Sequence, residues 1–322
     1  MKLYKRLSAI ILLACMLLSA CGMQQHGSQR RFKVYMITKS LGTQFWASAV
    51  AGANAAKSEY NIDLVIQGPE TEEDYAKQNE YIREAVRDGA DAIVFSAISY
   101  SENAAAIDEA ADAGVRIVVI DSDVDSHKVS ARIGTDNVQA GRMTAAAVLN
   151  MPDQEINVGI VNFDLGSRNG QERELGLREV LQQDARVKQI FTVNVSATPD
   201  SGKTGAEILM KEHPEINALV GLNEPLAVGT ARAVAANGLT GKVHAVGFDT
   251  NPECIDRMRD GAVSALIAQN PYAMGYLGVE RAWELLEGAN IDGEVWLDTA
   301  TTIVTRDNMF TPESQKALFS FV

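Results

Sequence analysis

The sequence predicts an α/β protein of two lobes, each a parallel sheet wound with helices on both faces. Three observations predict it. Apolar runs of about five residues, rich in Val and Ile, alternate with longer amphipathic segments, as expected for strands buried on both faces and joined by helical crossovers. Four such runs precede a change of rhythm over residues 130–141, and a second series begins at 156. At 322 residues the chain also exceeds the length at which one core usually stops growing.

The N-terminal stretch is a separate object. Lys2, Lys5 and Arg6 precede an almost unbroken apolar run over 7–18, and Ser19-Ala20 lead into Cys21. This is the form of a secretory signal over residues 1–20, too short for a comfortable membrane span of roughly 20 residues. "LSAC" followed by Gly22 resembles the bacterial lipobox. That resemblance implies that Cys21 becomes the first mature residue and carries lipid, with the polar, Gln-rich segment 21–31 as a flexible tether. Loss of the signal removes three positive charges and no negative ones from a chain already at −13. So acidic a protein is a poor binder of phosphate backbones, and nucleic acid is excluded as a partner. With Cys21 lipidated and Cys15 removed, Cys254 is the only thiol left, so no intrachain disulfide is expected.

Along the body, "KVYMIT" (33–38) reads as the first strand and "GTQFWASAVAGANAA" (42–56) opens a helix behind it. Neighbours on a helix diverge by about 100°. Phe45 and Trp46 are therefore either one buried and one exposed ring, or a stacking platform for a flat apolar ligand face. "IDLVIQ" is the second strand. The segment 71–89 is a helix with Tyr75, Gln78, Ile82, Ala85 and Val86 on one side, carboxylates in its first turn to complement the dipole, and Gly89 to end it. "DAIVFS" and "RIVVID" complete the first series; "INVGIV", "KQIFTV", "INALVGL", "VHAVGF" and "VSALIAQ" form the second. In open α/β sheets ligands bind outside the carboxyl ends of strands. That rule singles out Phe45-Trp46, Ser96, Asp121-Ser122, the loop 163–173, Asn223-Glu224, Phe248-Asp249 and Gln269.

Several motifs fail on inspection. "ATPDSGKT" (197–204) nearly fits a phosphate-cradling loop, but Ala197 stands where Gly belongs and Pro199 lacks a donor, so an ordinary capped helix start is expected. "DSDVDSHKVSAR" (121–132) begins like a calcium loop but has Ser126 in place of its Gly and Arg132 in place of its Glu. The four histidines form no metal-binding pair, and no nucleophile elbow is present. Neither a metal nor a cofactor is expected. Arg173 lies near a helix start, against the preference of the dipole, which points to a partner: Glu172 or Glu174 beside it, or a ligand.

Together, "QFWAS", "GADAIVFS", "VVIDSD", "IGTDNVQAGR", "ERELGLRE", "HPEINALVGLNEPLAVG", "AVGFDTNPE" and "GAVSALIAQNP" resemble the ribose/galactose-type periplasmic sugar-binding proteins of ABC transporters, over residues 32–305. The resemblance implies two similar lobes joined by three crossings, the type I periplasmic binding protein fold. One lobe would span 32–136 with 270–303, the other 137–269 with 304–322. A monosaccharide or polyol would lie between them, enclosed by hinge closure. Phe45 and Trp46 look like the stacking aromatics, Asp121 like a strand-end acceptor, and Arg173 like the cation on a ring or hydroxyl oxygen; Ser96 and Ser122 stand as ligand candidates on the strand-end rule. Asn223, Phe248 and Asp249 look like second-lobe partners and Gln269 like the hinge-side amide. Departures stand at Ser122, where ribose-binding members have Arg, around Thr43 in place of Asn, and at Ala197 in place of an aromatic wall. They argue against ribose itself. The expected protein is a monomeric, non-enzymatic receptor, lipid-anchored at the outer face of the cytoplasmic membrane, serving an ABC transporter permease or, alternatively, a sensor kinase or chemoreceptor. A hydrolase using Asp121 and Asp249 as paired carboxylates is the enzymatic alternative.

Overall fold

The computed structural model describes residues 30–290 and 296–319; the expected signal segment and Cys21 lie outside the described residues. The first lobe begins β1 (Lys33–Ile37), α1 (Gln44–Glu59), β2 (Asp63–Gln67), α2 (Tyr75–Arg87), β3 (Ala92–Phe95), α3 (Ala104–Asp112), β4 (Arg116–Ile120) and β5 (Ala131–Gly134). The second contains α4 (Asn137–Leu149), β6 (Ile156–Asn162), α5 (Arg168–Leu181), β7 (Val187–Asn194), α6 (Pro199–Glu212), β8 (Ala218–Gly221), α7 (Glu224–Ala236), β9 (His244–Phe248), α8 (Pro252–Arg259) and β10 (Val263–Ala268). The chain then returns through α9 (Pro271–Leu286) and β11 (Trp296–Asp298) to the first lobe and ends in the second with β12 (Thr302–Thr305) and α10 (Pro312–Leu318).

Each lobe holds one six-stranded sheet, ordered β11-β5-β4-β3-β1-β2 and β12-β10-β9-β8-β6-β7. All pairings are parallel except that of β12 with β10. The alternation within β1 shows why both faces are covered: Val34 and Met36 enter one core, Tyr35 and Ile37 the other, and all four are buried. The chain passes between the lobes at Thr135-Asp136, at Gln269-Asn270, and across 299–301. The third passage is complete earlier than the sequence suggested. Thr302 and Ile303 pair with Ala268 and Ile267 and so belong to the second sheet.

In each lobe the helix after the first strand packs against a helix that follows a crossing. Small residues let them approach. A Cβ on Gly275 of α9 would lie 1.8 Å from the Ala49 carbonyl oxygen of α1, and one on Gly176 of α5 would lie 1.9 Å from that of Val138 in α4. Neither backbone can retreat without separating a helix pair. Gly275→Ala is therefore expected to destabilise the protein by about 1–3 kcal/mol, as overpacking does; an unchanged denaturant midpoint would show that α1 and α9 can part freely.

The helix expected from residue 71 starts later. Asp74 is its N-cap, accepting from Lys77 N, and no acidic residue lies in its first turn. Glu72 and Glu73 precede it; Glu72 bonds Trp46 within the first lobe, and Glu73 reaches Ala197 of the second. Of the expected buried face, Gln78, Ile82 and Ala85 are buried, while Tyr75 is exposed. "ATPDSGKT" is an ordinary capped start, with Thr198 accepting from Ser201 N and Pro199 opening α6.

Candidate functional site

The strand tips of both lobes face one small, nearly filled cavity of about 20 Å³. Asp121 and Asp249 occupy equivalent places, directly after β4 and β9. Both have positive φ, +58° and +67°, which Asp tolerates better than most side chains. Each is held there by its own N–H, which donates at 3.0 Å to the neighbouring strand, Asp121 to Ile133 and Asp249 to Ile267. The turn lifts each carboxylate off its sheet into the cavity wall. The same device at corresponding positions of two lobes makes the site two-sided.

Aromatic rings supply the remaining walls. Phe45 and Trp46 meet edge to face at 5.0 Å, and Trp46 Nε1 donates to Glu72 Oε1 at 2.9 Å, which fixes the indole plane. Both rings are buried from solvent and both line the cavity. Phe163, at the end of β6, lines it from the second lobe beneath Lys39, whose Nζ stands 5.1 Å from the ring centroid. A wall missing at Ala197 is thus present elsewhere. Ala197 instead donates its N–H to Glu73 Oε1 at 2.8 Å, outside the cavity lining.

Arg173 is the most connected group. It is 1% exposed; its Nε donates to Asn137 Oδ1 at 2.9 Å, Nη1 to the Leu222 carbonyl at 2.8 Å, and Nη2 to Gln269 Oε1 at 2.8 Å. Its guanidinium lies 4.3 Å over the Phe248 ring and 4.0 Å from Asp121. Neither neighbouring glutamate is its partner: Glu172 pairs with Arg168, and Glu174 with Arg178. Burial works against the charge, and Asp249, Asp121 and Glu72 work in its favour. Gln269, at the second crossing, also accepts from Thr135 Oγ1 at the first and donates to Asp249 Oδ1 at 2.8 Å. The hinge and the site therefore share one network.

Of the residues singled out from the sequence, Phe45, Trp46, Asp121, Arg173, Asn223, Asp249 and Gln269 line the cavity; Ser96, Ser122 and Phe248 do not. Ser96 Oγ stands behind the wall, donating to Asp121 Oδ2 at 3.1 Å, and the buried Ser122 hydroxyl has no partner among the described residues. Phe248 lies wholly buried under Arg173. These three brace the lining rather than form it. Lys39 and Glu72 were missed. Lys39 lies just past the end of β1, where the strand-end rule could have found it, whereas Glu72 was assigned to a helix it precedes. Asn169 and Glu224, within stretches marked by the same rule, also line the cavity.

Asn223 caps α7, its Oδ1 accepting from Leu226 N at 3.1 Å, which leaves Nδ2 as a donor without a partner among the described residues, in a residue 7% exposed. Buried donors of this kind are costly unless something accepts from them. Asp249 complements it on the same wall, with Oδ1 engaged by Gln269 and Oδ2 facing no protein donor among the described residues. A larger cavity of about 270 Å³ adjoins on the hinge side and shares Phe45, Glu224, Asp249 and Gln269. Its further walls are largely apolar, from Pro252, Ile255, Pro271, Leu318 and Phe319, whereas the smaller one gathers the charged and amide groups. Among the described residues no group of three His, Cys, Asp or Glu could hold a metal ion, and no helix is long and apolar enough to cross a membrane.

Burial, helped by Glu224 and Asp121, pushes the Asp249 carboxyl up to about 7, against the pull of Arg173 and the Gln269 hydrogen bond. Burial likewise raises Glu72, opposed by Lys39, 3.7 Å away, and by the Trp46 bond. The sign for stability follows from Asp249. Between its ordinary value of 3.8 and about 7 the folded protein holds a proton that the unfolded chain has released. Its contribution to stability is therefore fully present below the unfolded value and is lost as pH rises toward about 7. The melting temperature of Asp249→Asn should fall less than that of the parent between about pH 5 and pH 7; parallel curves would remove the carboxylate as the cause.

A periplasmic binding protein domain matches residues 34–290. The chain is 25% identical over 295 residues to the ribose import binding protein of Bacillus subtilis, covering 89% of this chain and 95% of that protein. It is 26% identical over 315 residues to the fructose import binding protein of Bifidobacterium longum, covering 94% and 95%. Among solved structures, a carbohydrate transporter solute binding protein from Agrobacterium radiobacter in complex with D-arabinose superposes with a TM-score of 0.86 at 26% identity, covering 90% of this chain and all of that one. A sugar transporter from Clostridium phytofermentans does so with 0.78 at 33% identity, covering 86% and 100%.

Proposed function

The chain belongs to the periplasmic binding protein domain family, and from that premise we propose that it is an exported receptor that closes on one monosaccharide or polyol and delivers it to an ABC transporter permease. The observation that carries the reading is the convergence of Asp121 and Asp249, from opposite lobes, on a cavity walled by Phe45, Trp46 and Phe163. A sugar ring offers hydroxyl donors and acceptors at its edge and C–H groups on its faces. The carboxylates and Asn223 Nδ2 meet the edge; the rings meet the faces.

Thr43, which lines the cavity where ribose-binding members have Asn, favours a pentose other than ribose, a hexose or a polyol. The receptor does not alter its ligand and is tethered to the membrane through lipid on Cys21. A thermal-shift screen of the protein against pentoses, hexoses, inositols and amino sugars tests the reading. One class should raise the melting temperature with increasing dose, and the sugar should be recovered unchanged. A flat response across all classes, or consumption of the sugar, would overturn it. Incorporation of labelled fatty acid in cells, lost in Cys21→Ala, tests the tether.

A further inference from the structure

Glu224 begins α7 in the second lobe, yet its carboxylate bonds to the backbone of the first. Its Oε2 accepts from Phe45 N at 2.7 Å and Oε1 from Gln44 N at 3.2 Å, the first two residues of α1. Those N–H groups have no partner within their own helix, and the positive end of the helix dipole lies there. Oε1 also accepts from Asn251 Nδ2 at 2.8 Å, so a second-lobe amide aims the carboxylate at its target. Thus both oxygens are committed to protein donors, at 5% exposure. One of the amides so held carries the Phe45 ring of the cavity wall.

Elsewhere, other bonds join the lobes. Glu73 Oε1 accepts from Ala197 N at 2.8 Å, Lys39 Nζ donates to Ser167 Oγ at 2.8 Å, and Tyr100 N donates to the Gly166 carbonyl at 2.8 Å. Glu224 differs in engaging two amides of a helix terminus with a single carboxylate. Charge-assisted bonds of this kind are stronger than neutral ones.

We propose that Glu224 is a positioning residue that latches the two lobes together and sets affinity for every ligand alike, by favouring closure rather than by touching the sugar. This rests on the receptor reading for its effect on affinity, but the latch itself is a contact between protein groups and can be read without ligand. Because the latch forms only when the lobes meet, its loss lowers the closed population and weakens apparent affinity by the same factor for each sugar.

The test compares the parent with Glu224→Gln, which keeps the shape and removes the charge, and with Asn251→Ala, which leaves the carboxylate but frees its aim. Affinities for D-ribose, D-arabinose, D-fructose, D-glucose and D-galactose are measured by calorimetry. Amide exchange at Gln44 and Phe45 is followed by NMR in protein without sugar. Glu224→Gln should weaken binding of every sugar that binds by about ten- to hundredfold with their ranking unchanged, and Asn251→Ala should fall between. The two amides should exchange at least tenfold faster in Glu224→Gln, while Lys77 N, capped by Asp74 within the first lobe, stays as it was. A loss confined to one sugar would place Glu224 on the ligand and overturn the proposal, as would equal exchange in parent and variant. If the parent binds no sugar while the amides respond as stated, the latch stands and the receptor reading falls.

Discussion

Arg173→Ala is expected to destabilise the protein by about 3–5 kcal/mol, the range for removing one partner from a buried ionic network. The side chain bonds Asn137, the Leu222 carbonyl and Gln269, and its loss leaves three buried acceptors short of a donor around a void above Phe248. Asp249 and Asp121 would lose their nearest favourable charge at the same time. Binding should fail with it, because Gln269, released from Arg173, no longer holds Asp249 in place. Arg173→Lys keeps the charge but offers one point where a planar fork served three acceptors in different directions, so it should recover only part of the loss. Urea unfolding of the three proteins checks this. A loss under about 1 kcal/mol for the alanine variant would mean that water satisfies the network and that Arg173 is not the keystone of the hinge.

Asp249→Asn should act in two opposite directions. Its cavity-facing oxygen becomes, in one orientation, a donor, and in either orientation the charge is gone. Hydrogen bonds to a charged group contribute about 1.5–3 kcal/mol, so sugar affinity should fall roughly ten- to hundredfold. Stability above about pH 7 should rise, since the variant no longer confines an ionised carboxylate in a site that disfavours the charge. Calorimetry and thermal melts on the same samples read both. An affinity within twofold of the parent would remove Asp249 from the ligand, and a lower melting temperature at about pH 8 would mean that its charge supports the fold through Arg173. The expected trade of stability for binding is what a site built for a guest, rather than for itself, should show.

Much of this was legible from local pattern. Continuous apolar runs mark strands buried on both faces, and ligand groups in such sheets stand at strand ends; Asp121, Asn223, Asp249 and Gln269 follow from those two rules alone. The same reasoning failed where position depends on what the other lobe presents. Glu72 and Glu73 look like ordinary helix-start carboxylates, yet α2 begins after them because Asp74 supplies the cap, and both face partners across or within the cleft. Ser96, Ser122 and Phe248 occupy the right strand ends, but their side chains pass behind the lining, and only the packed sheet decides which side of a strand tip meets the cavity.

The sequence by itself determined the alternation of strands and helices, the two series and the tips that could bear a site, because each rests on periodicity and composition within a few residues. The tertiary structure alone decided that Arg173 reaches positions 36, 49 and 96 residues away, and that Glu224 closes on an amide 179 residues earlier. Contacts at such separations leave no local pattern. They exist because three crossings bring the strand ends of two sheets together, and geometry at that junction, rather than propensity along the chain, chooses the partners.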